Sequence, residues 1–150
     1  MATFYNLTSA SSCKKIHNYL ADYQKYYQYA LNLHKSLPEE DIKGNPLPES
    51  YVQKVYEHPL RKKFYADSIM YMLAAIPYRS RREKIMPRIV TPCPSLEIPR
   101  NRIRLSPDGK TITCKYGKLV SNLRFDIGKT NRLFLEILPD TQITKLVIFS

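Results

Sequence analysis

Five prolines fall between positions 77 and 99 (Pro77, Pro87, Pro92, Pro94 and Pro99), and they separate two kinds of sequence. Proline fixes φ, lacks a backbone donor and disrupts a helix interior, so this spacing predicts an extended connector that no helix crosses. Before it, apolar residues recur at three- and four-residue steps. After it, short apolar runs are punctuated by turn residues. The two periods predict an α+β chain. It would comprise an N-terminal helical lobe of about three helices (1–76), a Pro-rich basic connector (77–99) and a C-terminal antiparallel β sheet or small barrel (100–150).

In the first part, Ile16, Tyr19, Leu20, Tyr23, Tyr27, Ala30 and Leu31 predict an amphipathic helix to about Lys35, with Ser11 or Ser12 as its cap. Ahead of it, Ala2–Leu7 suits a short strand that joins the C-terminal sheet. Residues 37–47 (LPEEDIKGNPL) read as a loop. A second helix starts at Pro48 and carries Val52, Val55 and Tyr56, and Pro59 interrupts it. A third runs from about Leu60 to Ile76 on Tyr65, Ile69, Met72, Leu73 and Ile76. Arg61, Lys62 and Lys63 crowd its first turn, where cations oppose the helix dipole. The chain has twelve tyrosines and no tryptophan, so this stripe reads as a Tyr-rich core, with a base-stacking platform as the alternative.

In the second part, Asn101–Leu105 and Lys110–Lys115 flank Ser106-Pro107-Asp108-Gly109, a strong hairpin signal. Further turns at 116–118 and 127–131 set off strands at Leu119–Phe125, Arg132–Leu138 and Gln142–Phe149, with Pro139-Asp140 between the last two.

The formal charge of +11 is concentrated. Between Arg79 and Arg132 there are fourteen Lys or Arg and four acids, a balance of +10, whereas residues 1–78 carry +2 and 133–150 carry −1. Such concentration points to a polyanionic partner. The candidate nucleic-acid-binding residues are Arg79, Arg81, Arg82, Lys84 and Arg88 in the connector. From the sheet come Arg100, Arg102, Arg104, Lys110, Lys115, Lys118 and Arg124, with Tyr116 as a ring for stacking on a base. Arg100, Arg102 and Arg104 alternate, and on a strand they would share one face ~6.5 Å apart, close to the spacing of successive phosphates. Guanidinium groups grip phosphate in two-pronged fashion.

Phosphate-binding glycine loops, nucleophile elbows and paired carboxylates are absent, so the sequence reads as a non-enzyme without cofactor or metal. Cys13, Cys93 and Cys114 lack ligand spacing and suit a reducing, cytoplasmic setting. Cys93 lies between two prolines in a basic segment, which would lower its pKa. His17, His34 and His58 read as solvent or helix-surface residues. No secretory signal opens the sequence, and its longest apolar-leaning run, Ile69–Tyr78, is too short to cross a membrane, so no membrane partner is expected.

Pro87-Arg88, then Ile103-Arg104-Leu105-Ser106-Pro107-Asp108-Gly109-Lys110, then Ile112, Gly117-Lys118-Leu119 and Leu123-Arg124 together resemble the TnpB-type transposon-encoded, RNA-guided nucleases, relatives of the type V CRISPR effectors. In that family a basic Pro-Lys-Phe-Lys segment leads into an Ile-Arg-Leu…Asp-Gly-Lys-x-Ile…Gly hairpin, and a helical region precedes both. Residues 47–55 look like the helix ahead of the basic segment. The resemblance spans roughly residues 45–125. It implies a wedge-type β-barrel with an inserted helical recognition lobe that binds a guide RNA and a target duplex. Two departures stand out: Pro87-Arg88-Ile89 replaces Pro-Lys-Phe, and the sequence stops at Ser150, where the family's RuvC-type nuclease domain would begin. The resemblance therefore implies a binding piece, a partner of a separate nuclease subunit, or a relative that binds without cutting. The expectation is a non-catalytic nucleic-acid-binding protein, RNA ahead of DNA. The alternatives are a small viral or mobile-element protein that docks on an acidic protein surface, and a nuclease or transferase with unrecognised carboxylates.

Overall fold

The fold is taken from a computed structural model, which describes residues 1–8, 10–38, 47–86, 93–137 and 144–149. Most of the expected 37–47 loop lies outside the described residues, as do Pro87, Arg88, Pro92 and the break at Pro139-Asp140. The chain forms two compact units. One joins Met1–Asp22 to Ser95–Ser150, and the other is Tyr23–Pro94. The architecture is α+β, with helices toward the N-terminus and antiparallel sheets toward the C-terminus.

The first unit holds two sheets. β1 (Ala2–Asn6), β2 (Leu96–Ile98), β6 (Arg132–Ile137) and β7 (Thr144–Phe149) form one, in the order β1-β7-β6-β2. The register aligns Tyr5, Leu146, Leu135 and Leu96 across it, and all four are buried. Ile148, Leu133 and Ile98 form the adjoining buried row. The second sheet is β3 (Arg104–Leu105), β4 (Thr111–Cys114) and β5 (Gly117–Val120). The first strand pairs with the last in this sheet, while β2 arises within the proline-rich stretch.

The turn at 106–109 forms as its sequence predicts. Gly109 sits at φ 74° and donates its N–H to the Ser106 carbonyl at 2.9 Å. Asp108 Oδ1 accepts from the Ser106 hydroxyl and, at 3.1 Å, from the Lys110 N–H. These bonds favour the ionised carboxylate, the Ser106 contact most, and hold its pKa below the usual 3.8. Gly117 lies at φ 125°, and a Cβ built there would meet Lys15 Cδ at 3.5 Å and Ile16 Cγ1 at 3.9 Å, so the helix that carries these two residues passes close to this turn.

α1 (Ala10–Lys35) begins before Ser11 and Ser12, which therefore lie inside it instead of capping it. Its later half joins α2 (Glu49–Glu57) and α3 (Ala66–Ile85) in the second unit. The core there is tyrosine-rich. Tyr23, Tyr26, Tyr27 and Tyr51 are buried with Phe64, Ile69, Met72 and Ile76. Tyr26 donates to the Val55 carbonyl at 2.6 Å and Tyr51 to the Ala30 carbonyl at 3.1 Å.

The structure departs from three sequence expectations. Pro59–Lys63 is a separate 3-10 turn, held by His58 Nδ1 accepting from Leu60 N–H at 3.1 Å, so the three cations precede α3 instead of crowding its first turn. α3 does not end at Ile76 but runs through Pro77 to Ile85. Proline inside a helix removes one backbone bond at a cost of about 3 kcal/mol. Buried Ile76 and Ser80 and the Lys35–Glu83 ion pair anchor the turns on either side. His34 is buried, not a surface residue.

Candidate nucleic-acid interface

The three-stranded sheet sorts its residues by the two-residue period of a strand. Leu105, Ile112 and Leu119 pair across it on one face, and the last two are buried. Arg104, Thr113 and Lys118 pair across it on the other face, and all three are exposed. Arg104 and Lys118 are thus set apart by two strand spacings, about 10 Å between backbones. Thr113 stands between them with its hydroxyl on the same face. Lys110 and Lys115 are exposed at the two ends of β4. Arg124 is exposed, with its stem against the hairpin tip: a Cβ built on Gly109 would lie 2.6 Å from Arg124 Cγ.

The row of cations therefore runs across three strands, not along one. Arg100–Arg102 is a 3-10 turn following Pro99, closed by Arg102 N–H to the Pro99 carbonyl at 3.0 Å, so Arg100, Arg102 and Arg104 do not form the expected alternating ladder. Arg102 is exposed, whereas Arg100 donates from Nε to the Gly128 carbonyl at 2.9 Å and braces the 127–131 loop. Alternation of charge is the same in a strand and in a short 3-10 turn, so the sequence pattern does not separate them.

Tyr116 does not lie on the exposed cationic face. It is fully buried, with its ring edge-on to Tyr19 at 5.1 Å. The connector cations Arg79, Arg81, Arg82 and Lys84 lie on α3. Arg79 is half-buried with its guanidinium 6.0 Å from the Tyr27 ring centre, while Arg81, Arg82 and Lys84 are exposed. Arg88 lies outside the described residues. Thr113, which shares the exposed face with Arg104 and Lys118, is the candidate residue that sequence reasoning missed. Its signal was present in Thr111-Ile112-Thr113, where the buried Ile112 fixes the threonines on the outer face.

Cys93 departs from its expected low pKa: burial pushes the thiol up to about 12, and nearby Arg79 offsets this only in part. Cys114 is likewise raised by burial. Among the described residues no group of three His, Cys, Asp or Glu is placed to hold a metal ion, and no helix is long and apolar enough to cross a membrane. Fold and site together define an α+β protein with a cationic sheet face. The chain matches no protein-family model, and no curated protein matches it.

Proposed function

We propose that the chain binds nucleic acid without cutting it, and that the exposed face of the three-stranded sheet is where it grips the phosphates. The observation that carries this reading is the register that sets Arg104 and Lys118 on one open face on either side of the Thr113 hydroxyl. Arginine supplies two-pronged contacts, lysine a point charge and threonine a neutral hydrogen bond, the usual set for positioning a phosphate backbone. Arg102, Lys110, Lys115 and Arg124 extend the positive field around that face, and the exposed Arg81, Arg82 and Lys84 of α3 offer a second cationic surface. RNA is preferred to DNA on the resemblance to TnpB-type proteins, which also suggests a separate nuclease subunit as a partner. The free cysteines Cys93 and Cys114 favour a reducing, cytoplasmic setting.

The test is a salt titration of binding to a labelled single-stranded RNA and to the matching DNA duplex. Replacing Arg104 and Lys118 together with Gln is expected to weaken binding and reduce the salt slope by about two charges' worth. A folded double variant with unchanged affinity and slope overturns the reading. Arg100→Gln is the contrasting control. It is expected to loosen the 127–131 loop and leave the slope nearly unchanged.

A further inference from the structure

α3 has two faces with apolar residues, and among the described residues only one of them is buried. Ile69, Met72, Leu73, Ile76 and Ser80 are buried. On the opposite side Met70, Tyr78 and Ile85 are 60%, 78% and 67% exposed, and Asp67, Ala74 and Arg81 are exposed with them. At 3.6 residues per turn, Asp67, Met70, Ala74, Tyr78 and Arg81 fall within an arc of about 80°, a stripe roughly 21 Å long. Scattered apolar residues on a surface mean little, but a continuous stripe of this kind marks a contact. Met, Tyr and Arg are also the residue types enriched at protein interfaces.

The order of residues along the stripe identifies the occupant. The five residues from Asp67 to Arg81 are symmetric about Ala74, and Ile85 lies beyond them in the same arc. Met70 and Tyr78 each stand four positions from Ala74, and Asp67 and Arg81 each stand seven positions away. If a second α3 is laid antiparallel on the first with a two-fold axis at Ala74, each Met70 meets a Tyr78. Each Asp67 likewise meets an Arg81, and the small Ala74 side chains face one another where the helices come closest. A two-fold interface requires that kind of self-complementary patch. An acidic partner of another sequence would match Arg81, Arg82 and Lys84 but would oppose Asp67.

We infer that the outer stripe of α3 is a dimerisation surface for a second copy of this chain, paired antiparallel about Ala74. One helix per copy makes a small interface, so association belongs to the weak class that forms in the micromolar range and above. The overall +11 charge opposes it, and physiological salt screens that repulsion.

The experiment is sedimentation of the purified full chain, free of nucleic acid, at physiological salt from micromolar to near-millimolar concentration. The mass is expected to rise from monomer toward dimer. Tyr78→Glu, at a solvent-exposed position, is expected to weaken the dimer about tenfold or more with an unchanged circular dichroism spectrum. Asp67→Arg alone and Arg81→Asp alone each place like charges together and weaken it, whereas D67R/R81D restores the pairing. Ala74→Cys is expected to form a disulfide with its own counterpart under mild oxidation, beyond the background from the native cysteines. A monomer at every concentration overturns the inference. A dimer indifferent to the charge swap, or one in which Ala74→Cys does not cross-link, overturns the antiparallel pairing.

Discussion

The two compact units treat their buried polar groups differently. In the β unit, the Tyr5 hydroxyl accepts from the Asp126 N–H at 3.0 Å, Ser121 Oγ accepts from the Leu123 N–H at 3.2 Å, and His17 Nε2 shares a hydrogen bond with Thr144. In the helical unit, Tyr26 and Tyr51 reach carbonyls, but the Tyr27 hydroxyl, both ring nitrogens of His34 and the Ser80 hydroxyl are buried without a hydrogen-bond partner among the described residues. The cause lies in the backbones. Loops beside a sheet leave N–H groups free to meet a side chain, whereas helix interiors have already paired theirs. Each unpartnered buried group costs about 1–3 kcal/mol, so among the described residues this burden falls on the helical unit.

The first way to break this contrast is a core truncation. Met72 is fully buried, and Met72→Ala is expected to cost about 2–5 kcal/mol. Hydrogen exchange is expected to show lost protection in α2 and α3 well before β4 and β5. Equal loss in both would mean that the two units melt as one.

The second sharpens it by pH. Burial, with Lys84 nearby, holds the His34 pKa below its usual 6.5, and Tyr51 meets the ring edge-on. The unfolded chain then takes up the proton first, so stability is full above pH 6.5 and declines as the pH falls below it. His34→Leu is expected to raise stability at neutral pH by about 1 kcal/mol and to flatten that decline. An unchanged melting curve at pH 5 and pH 7 would refute the assignment.

Asp108 gives the matching test in the β unit, with a smaller effect. Its depressed pKa contributes stability that is present above 3.8 and lost in stronger acid. Acid is therefore expected to loosen the helical unit before the hairpin. Asp108→Ala is expected to speed amide exchange at Lys110 while barely moving the global melt. The smallest effect is kinetic: Cys93, with its thiol near 12, is expected to alkylate more slowly at neutral pH than an unfolded-peptide thiol.

Local chemistry was legible in the sequence, and long-range placement was not. The stripe from Ile16 to Leu31 announced α1, and Ser106–Gly109 announced the hairpin, because each signal lies within a few residues. β2 depends on β6, where Glu97 opposes Phe134 and Arg132 Nη2 reaches Glu97 at 2.9 Å. No local pattern at Leu96–Ile98 reports that partner. Tyr116 read as a turn ring for stacking on a base, because the Tyr19 ring beside it comes from the distant α1. Pro77 misled for another reason: its penalty is local, while the packing that outweighs it is not. Of the candidate site, the charge was readable but its arrangement was not, since Arg104 and Lys118 become neighbours only through the register of β4.

The pairing of β1 with β7 has a consequence for how the chain is made. On a ribosome β1 emerges before the helical unit, yet its partner at Thr144–Phe149 appears only after that whole unit has been synthesised. At ordinary elongation rates that wait is roughly ten to thirty seconds. Through it, β1 with its Tyr5 waits without β7, open to chaperones and to pairing with other copies on the same messenger.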